Sequence, residues 1–381
     1  MTTTKTLICL GILLLCLEAH GQSSVTLYGM ADAGLTYTNN QGGASRVQTW
    51  SGSRGSSRFG FRGTENLGGG LKAIFGLENG FDIQSGKSLQ NGRLFGRQSW
   101  VGLTGDFGTV TLGRQSDIVF DVLGAYETGI LMAGSLGARA GDVDNIFGDY
   151  FFNNAIKYVS PTWQGVTLEG IYSFGGIAGS MARNQVWGIA ASYDRGSLGA
   201  TVVYRRANEP AVSQFDASSS AVAGQTFANP SSNPMFSGYL SARSLEVYGA
   251  GLRYKFGSSV VAANYTTTRF NHVLKTSSTP IGGISPSINS AELNYTYRFT
   301  PELLIGAGFS YTHAEDAKYT QSTIGSTYSL SKRTFLYAMT SWVHAIGTNS
   351  LNRPAVAGID LLTASSNANQ LAVRIGIHHN F

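Results

Sequence analysis

Alternation of apolar and polar residues recurs from residue 25 to the last residue of the chain, and this period of two constrains the fold more than any other feature. In the final segment, LAVRIGIHHNF, the odd-numbered positions are almost all apolar and the even-numbered positions are mixed and polar. The segment AELNYTYRF (291–299) alternates in the same way. Because successive side chains of a strand point to opposite faces, the pattern predicts β-strands with two chemically different faces.

The composition separates this chain from ordinary soluble proteins. Charged residues make up 13% of the chain, which is about half the usual share. No apolar stretch after the N-terminal region approaches the roughly 18 residues that a transmembrane helix needs. A transmembrane β-barrel reconciles low charge with the absence of such a stretch, because its lipid-facing and lumen-facing residues alternate. The net charge of +5 is too small and too scattered to indicate a nucleic-acid-binding protein.

The connections between the predicted strands also alternate in length. Short turns such as GDFG (105–108) are separated by long polar stretches, among them 116–150 and 206–243. Short turns at one end and long loops at the other are typical of outer-membrane barrels. We predict an all-β fold with 16 antiparallel strands, the second of them a single strand over 48–63. An even number of strands places both chain termini at the short-turn end of the barrel.

The N-terminal residues predict a secretory signal peptide over 1–21. Lys5 precedes an apolar run, and Ala19-His20-Gly21 follows it as a small-x-small cleavage site. Cleavage near Gly21 leaves a single barrel domain over 22–381. The alternative is a short N-terminal anchor helix. The two cysteines, Cys9 and Cys16, both lie in the signal, so the mature chain has no disulfide.

The chain ends on a large aromatic residue, although chain termini usually fray. An open sheet edge in hydrocarbon leaves its N–H and C=O groups without partners. We therefore predict that residues 371–381 pair with about 25–37 to close the barrel. Phe381 then lies at the short-turn end with Tyr193, Phe256 and Phe299, where aromatic residues form an interfacial girdle.

Several long motifs resemble the general porins of beta-proteobacteria, which are trimeric 16-stranded outer-membrane channels. They are QSSVTLYGMADAGL at the mature start, SRFGFRGTENLGGGLKAIFGLENGFD (57–82), GRQSWVGLTGDFGTVTLGRQ (96–115), NNAIKYVSPTW (153–163), YSLSKRTFLYA (328–338) and the terminal HHNF. The resemblance spans the whole mature chain. It implies a passive outer-membrane channel with no enzymatic activity and no cofactor. It also implies that the assembly machinery of the outer membrane reads Phe381 as a signal.

The resemblance implies that the third long loop, 116–150, folds into the lumen and forms a constriction. Its acidic residues are Asp117, Asp121, Glu127, Asp142, Asp144 and Asp149. Arg58 and Arg97 match the arginines of the opposite wall in the family. Cations facing carboxylates across a water-filled gap produce a transverse field that orients passing ions.

The polar phase of the strands carries further basic residues, so that the wall is net basic before the loop acids are counted. The expected pore-lining basic residues are Arg58, Arg97, Arg62, Lys72, Lys157 and Arg374. This balance predicts a mild preference for anions. Phe151-Phe152 occupies a place where the family often has a basic residue, which weakens the positive side of the constriction.

The expected partners follow from the same resemblance. They are two further copies of the chain in a homotrimer, outer-membrane lipid including lipopolysaccharide, and small hydrophilic solutes and inorganic ions. The small outward residues Gly29, Ala31 and Ala33 indicate close packing of another barrel at the first strand.

Other classes of protein remain open from the sequence. A barrel enzyme needs a nucleophile and a base near the rim, and His272 and His313 fall near the loop end, although the chain has no G-x-S-x-G or H-E-x-x-H motif. A surface-displayed adhesin or receptor barrel is compatible with loops such as 206–243. A soluble β-sandwich fits the low charge poorly.

Overall fold

The computed structural model describes residues 23–223 and 227–381, and within them the chain forms one antiparallel β-sheet of 17 strand segments. The predicted signal peptide lies outside the described residues. The segments are β1 (Ser24–Gln41), β2 (Ala44–Ser51), β3 (Arg58–Gly68), β4 (Leu71–Gly80), β5 (Gln98–Gly105), β6 (Gly108–Ser116), β7 (Phe151–Val159), β8 (Val166–Ser173), β9 (Val186–Arg195), β10 (Leu198–Asn208), β11 (Ser244–Phe256), β12 (Ser259–Asn271), β13 (Ser287–Arg298), β14 (Leu303–Ala314), β15 (Ala317–Ser329), β16 (Thr334–Gly347) and β17 (Asn369–Asn380).

Two of these segments occupy one strand position in a 16-stranded barrel. β2 pairs with the C-terminal half of β1, from Ala33↔Ser51 to Gln41↔Ala44, and β3 pairs with its N-terminal half, from Ser24↔Thr64 to Met30↔Arg58. The prediction of one continuous strand over 48–63 is therefore wrong, although the strand count of the barrel is confirmed. Residues 52–57 interrupt the strand, and Gly52 adopts a φ of +72° there.

The barrel closes where the last strand meets the first. β17 pairs antiparallel with β1 from Ala372↔Thr38 to Asn380↔Met30. Phe381 extends this ladder, since its N–H and C=O each form a 3.0 Å hydrogen bond with Gly29. A Cβ on Gly29 would lie 2.4 Å from the Phe381 ring, so the glycine makes room for the terminal aromatic side chain. These bonds satisfy the backbone groups that an open edge would leave unpaired.

Side chains alternate along the strands between an exposed apolar face and a buried polar face. On β13, Leu293 is 58% exposed and Tyr295 is 42% exposed, whereas their neighbours Glu292 and Asn294 are almost fully buried. This confirms the phase expected for the segment 291–299. Apolar side chains outside and polar side chains inside are what a barrel in a bilayer requires.

The long connections carry short helical turns. The structure contains α1 (Ile118–Leu123) and α2 (Pro210–Ser213) among its described residues. Asp117 caps α1, because its carboxylate accepts the N–H of Val119 at 3.2 Å. Within the same residues, no single helix is long and apolar enough to cross a membrane; Ile118–Tyr126 and Gly129–Leu136 reach the required length and composition only together, across a 70° bend.

The long loops share an apolar core with segment 117–150. Val143 and Ile146 of this segment belong to the same buried cluster as Phe236 and Leu240 of loop 209–243 and Ile359 of loop 348–368. Burial of such side chains is the main favourable term in packing. The loops at this end of the barrel are thus held together as a packed layer.

Candidate functional site: segment 117–150 and the basic wall

Segment 117–150 is fastened to the buried polar face of β12 and β13. The carbonyl oxygen of Tyr126 accepts hydrogen bonds from the side-chain amides of Asn264 and Asn294, at 2.8 and 2.9 Å. The backbone N–H and the hydroxyl of Thr128 both donate to Glu292, at 2.6 and 2.8 Å. Polar side chains of the strands therefore satisfy backbone groups that the loop would otherwise bury unpaired.

The middle of the segment fits into the interruption between β2 and β3. Ser135 donates its backbone N–H to the carbonyl of Ser53 at 2.8 Å, and the two hydroxyls lie 3.0 Å apart. Gly134 has a φ of +56°, and a Cβ there would lie 1.8 Å from the Ser53 oxygen. Only glycine accommodates both the conformation and the close approach. The broken strand and the loop are thus complementary parts of one contact.

Most of the predicted acidic residues of the loop are buried and bonded. Asp144 forms a 2.6 Å ion pair with Arg139, and Asp117 lies 3.3 Å from Arg205; all four side chains are almost fully buried. Asp121 pairs with Lys157 and keeps contact with solvent. These carboxylates hold the segment in place, because a buried charge needs a partner.

Two other acidic residues of the loop have raised pKa values. Burial, with a further contribution from Glu292, raises the pKa of Glu127 well above its usual range. Burial likewise raises the pKa of Asp142, whose carboxyl group accepts three backbone N–H groups between Phe147 and Asp149, at 2.9 to 3.1 Å. Neutral carboxyl groups add no negative charge to a pore.

Asp149 is a loop acid that lines a cavity. Its side chain and those of Arg97 and Tyr150 line a cavity of about 480 Å³. Burial raises the pKa of Asp149 to about 6, against a hydrogen bond from Asp360 and the charge of Arg97, which both lower it. Arg97 and Asp149 thus place opposite charges on the border of one cavity.

The predicted wall arginines meet at a shared carboxylate. Glu78 on β4 lies 3.4 Å from the Arg58 guanidinium and 2.7 Å from that of Arg97, and it accepts a 3.0 Å hydrogen bond from Tyr28. The Arg58 side chain is 24% exposed and that of Arg97 11%, whereas Glu78 is 6% exposed. Two cations therefore share one anion, and the cations are the more accessible partners.

The other predicted basic residues have different surroundings. Arg62 and Lys72 are exposed near the short-turn end, and the Arg62 guanidinium lies 5.1 Å from the Tyr28 ring. Lys157 is buried and forms an ion pair with Asp121. Arg374 is fully buried, where it contacts Asp32 at 3.3 Å and Tyr337 at 2.9 Å. The structure thus does not gather the six basic residues into one cluster.

Sequence reasoning missed a third arginine of this wall. Arg114 on β6 donates to the carbonyl of Gly96 at 2.7 Å and to the side chain of Asn153 at 2.7 Å. Arg97 and Arg114 both lie over the ring of Phe151. A signal was present, because the tripeptide GRQ occurs twice, at 96–98 and 113–115, ahead of and at the end of neighbouring strands.

No group of three or more His, Cys, Asp or Glu side chains is placed to hold a metal ion anywhere in 23–223 or 227–381. The described part of the site consists of paired charges, hydroxyls and aromatic rings around a cavity.

A closed 16-stranded antiparallel barrel with an apolar exterior and a polar interior defines a membrane channel of the porin class. The family model for Gram-negative porins matches residues 7–345, and the chain belongs to this family. It is an outer-membrane porin, a passive channel for small hydrophilic solutes.

Individual relatives agree with this assignment over their full length. The chain is 30% identical to outer membrane porin protein 32 of Delftia acidovorans, with 99% of each chain covered. It is 29% identical to an outer membrane porin protein of Bordetella pertussis, with 95% of this chain and 96% of the relative covered. The solved structure of an anion-selective porin from Comamonas acidovorans has a TM-score of 0.71 at 25% identity, covering 94% of this chain and all of that one.

Proposed function

We propose that this porin is mildly anion-selective and that segment 117–150 is its constriction. The observation that carries the proposal is a difference between the basic residues of the wall and the acidic residues of segment 117–150. Arg58 and Arg97 share one carboxylate, whereas most acids of the segment are paired or buried. The similarity to the anion-selective porin from Comamonas acidovorans supports the same conclusion.

The proposed mechanism is passage of hydrated ions past a fixed transverse field. Arg97 lies on one border of the cavity and Asp149 on another, so a passing ion or zwitterion orients between them. No covalent step is involved, and we propose that the chain has no enzymatic activity. Selectivity follows from the charges that water can reach, because exposed charges contribute to the potential in the pore.

We propose further that the chain acts as a homotrimer in a membrane containing lipopolysaccharide, after removal of residues 1–21. The trimeric state is proposed from the resemblance to trimeric porins and from the small residues on the outward face of β1. The pairing of Phe381 with Gly29 at the end of the barrel seam supports a role for this residue in closure. Recognition of Phe381 by the assembly machinery belongs to the same proposal.

The decisive experiment is a reversal potential in a planar bilayer with a KCl gradient. We expect the wild-type reversal potential to lie on the anion side and steps to occur in groups of three. Replacing both wall arginines, Arg58→Gln with Arg97→Gln, removes two positive charges near the ion path. Because a unit charge a few ångströms from an ion in water contributes about 1 kcal/mol or less, the anion-to-cation permeability ratio should fall about two- to fivefold.

Arg195→Gln is the matched control, since Arg195 is exposed beside a short turn and contacts only Gln164, at 3.3 Å, among the described residues. It removes one positive charge far from the wall arginines and should leave the reversal potential unchanged. A wild-type reversal potential on the cation side would contradict the proposed anion preference. Correctly folded protein that produces no steps would contradict the channel function.

A further inference from the structure

Phe151 is an aromatic residue of the wall whose ring contacts two guanidinium groups. It begins β7, and its side chain is almost fully buried. The central guanidinium carbon of Arg97 lies 5.0 Å from the ring centroid, and that of Arg114 lies 5.6 Å from it. Both distances fall within the 6 Å range in which the negative face of an aromatic ring attracts a cation.

The two arginines are otherwise fixed by different partners. Arg97 donates to the carboxylate of Glu78 at 2.7 Å. Arg114 donates to uncharged oxygens only: the carbonyls of Gly96 and Phe151, at 2.7 and 3.2 Å, and the side chain of Asn153. Among the described residues, no carboxylate lies within salt-bridge distance of Arg114.

An aromatic ring differs from a carboxylate in what it does to the charge of the site. A carboxylate attracts a guanidinium, and its negative charge offsets the positive potential that a more distant ion would meet. Glu78 does this for Arg58 and Arg97. A ring attracts the guanidinium through its quadrupole and leaves the net charge unchanged. Phe151 therefore offsets the repulsion between neighbouring cations without lowering the positive potential that an anion meets.

The adjacent residue shows the same contact in another setting. Phe152 is fully buried, and the Arg205 guanidinium lies 5.5 Å from its ring centroid. Arg205 is also fully buried and is paired with Asp117 of segment 117–150. Phe152 thus contacts an arginine that holds the segment in place. Its neighbour Phe151 contacts Arg97, which lines the cavity, and Arg114 beside it.

We propose that Phe151 is a positioning residue for anion selectivity: its ring holds Arg114, a cation with no carboxylate within salt-bridge distance among the described residues, beside Arg97 at the pore wall. The inference rests on the proposed anion-selective function and deepens it. It assigns a role to Phe151 of the Phe151-Phe152 pair, which occupies a place where the porins that the chain resembles often have a basic residue. Here an aromatic side chain retains the effect of that charge by keeping Arg114 in place.

The test compares Phe151→Leu with Phe151→Tyr in the full-length mature barrel, using the reversal potential in a KCl gradient. Leucine fills similar space without a ring face, so Arg114 is no longer held at the wall and the anion-to-cation permeability ratio should fall about twofold. Tyrosine keeps the ring and should retain the wild-type ratio. Step conductance and thermal stability report separately whether the barrel is intact.

Arg114→Gln provides a second measurement that leaves the ring in place, and it should lower the ratio in the same direction. Combining it with Phe151→Leu should lower the ratio by less than the product of the two separate effects, because both changes act through the same cation. An unchanged ratio in Arg114→Gln overturns the inference, whatever happens to the Phe151→Leu barrel. So does a wild-type ratio in folded Phe151→Leu, or a fall in Phe151→Tyr equal to that in Phe151→Leu.

The result also distinguishes this inference from the function on which it rests. Wild-type steps with an anion-side reversal potential, together with unchanged variants, would leave the porin proposal intact and reject the role of Phe151. A wild-type reversal potential on the cation side would reject both.

Discussion

Two stretches of the inner wall use the same residue types in opposite ways. On β12 and β13, Asn264 and Glu292 are buried against segment 117–150, and Arg139 of the segment is enclosed with them. Arg58 on β3 and Arg97, just before β5, share one carboxylate and remain partly accessible to water. The first stretch holds the segment, whereas the second leaves two cations partly exposed, as the proposed anion preference requires.

The difference shows that the number of charged residues does not determine the field in the pore. The two charges of a buried ion pair largely cancel each other at a distance, and removing one partner of such a pair costs far more than removing one partner of an exposed pair. The six acids of segment 117–150 were expected to oppose the basic wall. Most of them are paired with cations or have a raised pKa, so in the proposed mechanism they oppose the wall less than their number suggests.

The largest expected effect comes from breaking the buried ion pair that holds segment 117–150 against β12 and β13. Arg139→Met removes the partner of Asp144 and the donor to Thr266, at 2.6 and 2.8 Å. Removing one member of a buried pair costs about 3–5 kcal/mol, so segment 117–150 should detach from β12 and β13. We expect a higher and noisier step conductance, and faster proteolysis within 117–150. Arg195→Gln serves as the exposed control. Unchanged conductance with full protection from protease would show that this pair does not hold the segment.

A smaller effect is expected at the contact between segment 117–150 and loop 348–368, where Asp149 meets Asp360. Burial raises the pKa of Asp149 to about 6, so the folded state favours the protonated form. Its stabilising contribution is therefore present at about pH 4 and is lost as the pH rises through about 6. The hydrogen-exchange protection factors of loop 348–368, which are corrected for the pH dependence of intrinsic exchange, should therefore fall as the pH rises from about 4 to above 6, even though Arg97 lies nearby.

Asp149→Asn should flatten this pH dependence, because an amide does not ionise. Asp82→Asn is the matched control, since Asp82 lines the same cavity but accepts hydrogen bonds from Gln84 and Ser85 at 2.8 Å. An Asp149→Asn barrel whose protection factors in loop 348–368 still fall between pH 5 and 7 would assign the effect to another group.

The smallest expected effect is at an exposed ion pair between two loops. Asp216 of loop 209–243 accepts two hydrogen bonds from Arg93 of loop 81–97, at 2.6 and 3.0 Å, and one from Asn91 at 2.7 Å. Exposed pairs contribute about 0–1 kcal/mol, and salt screens them. Asp216→Asn should change the step conductance slightly at low ionic strength and not at 1 M salt. Asp106→Asn, at an exposed short turn, is the control. A large change that persists at 1 M salt would mean that this pair belongs with the buried contacts.

Much of the barrel was predictable because strand faces are set by local alternation. The predicted pairing of residues 371–381 with about 25–37 is found between β17 and β1, and the alternation predicted for 291–299 is found on β13. The interruption at 52–57 was not predictable in this way, since it depends on Gly134 and Ser135, which are some 80 residues away in sequence. A periodic pattern carries no information about a distant segment that fits into it.

The sequence by itself determined that the chain forms a closed barrel with its last residue at the seam, because alternation and terminal closure follow from strand geometry and from the need to pair every backbone group in lipid. It also indicated Arg58 and Arg97. Only the tertiary structure decided which charges remain available: it buried Arg374 with Asp32, paired Lys157 with Asp121, and brought Arg114 to Phe151. Availability of a charge depends on burial and on partners, and both arise from contacts between residues far apart in the chain.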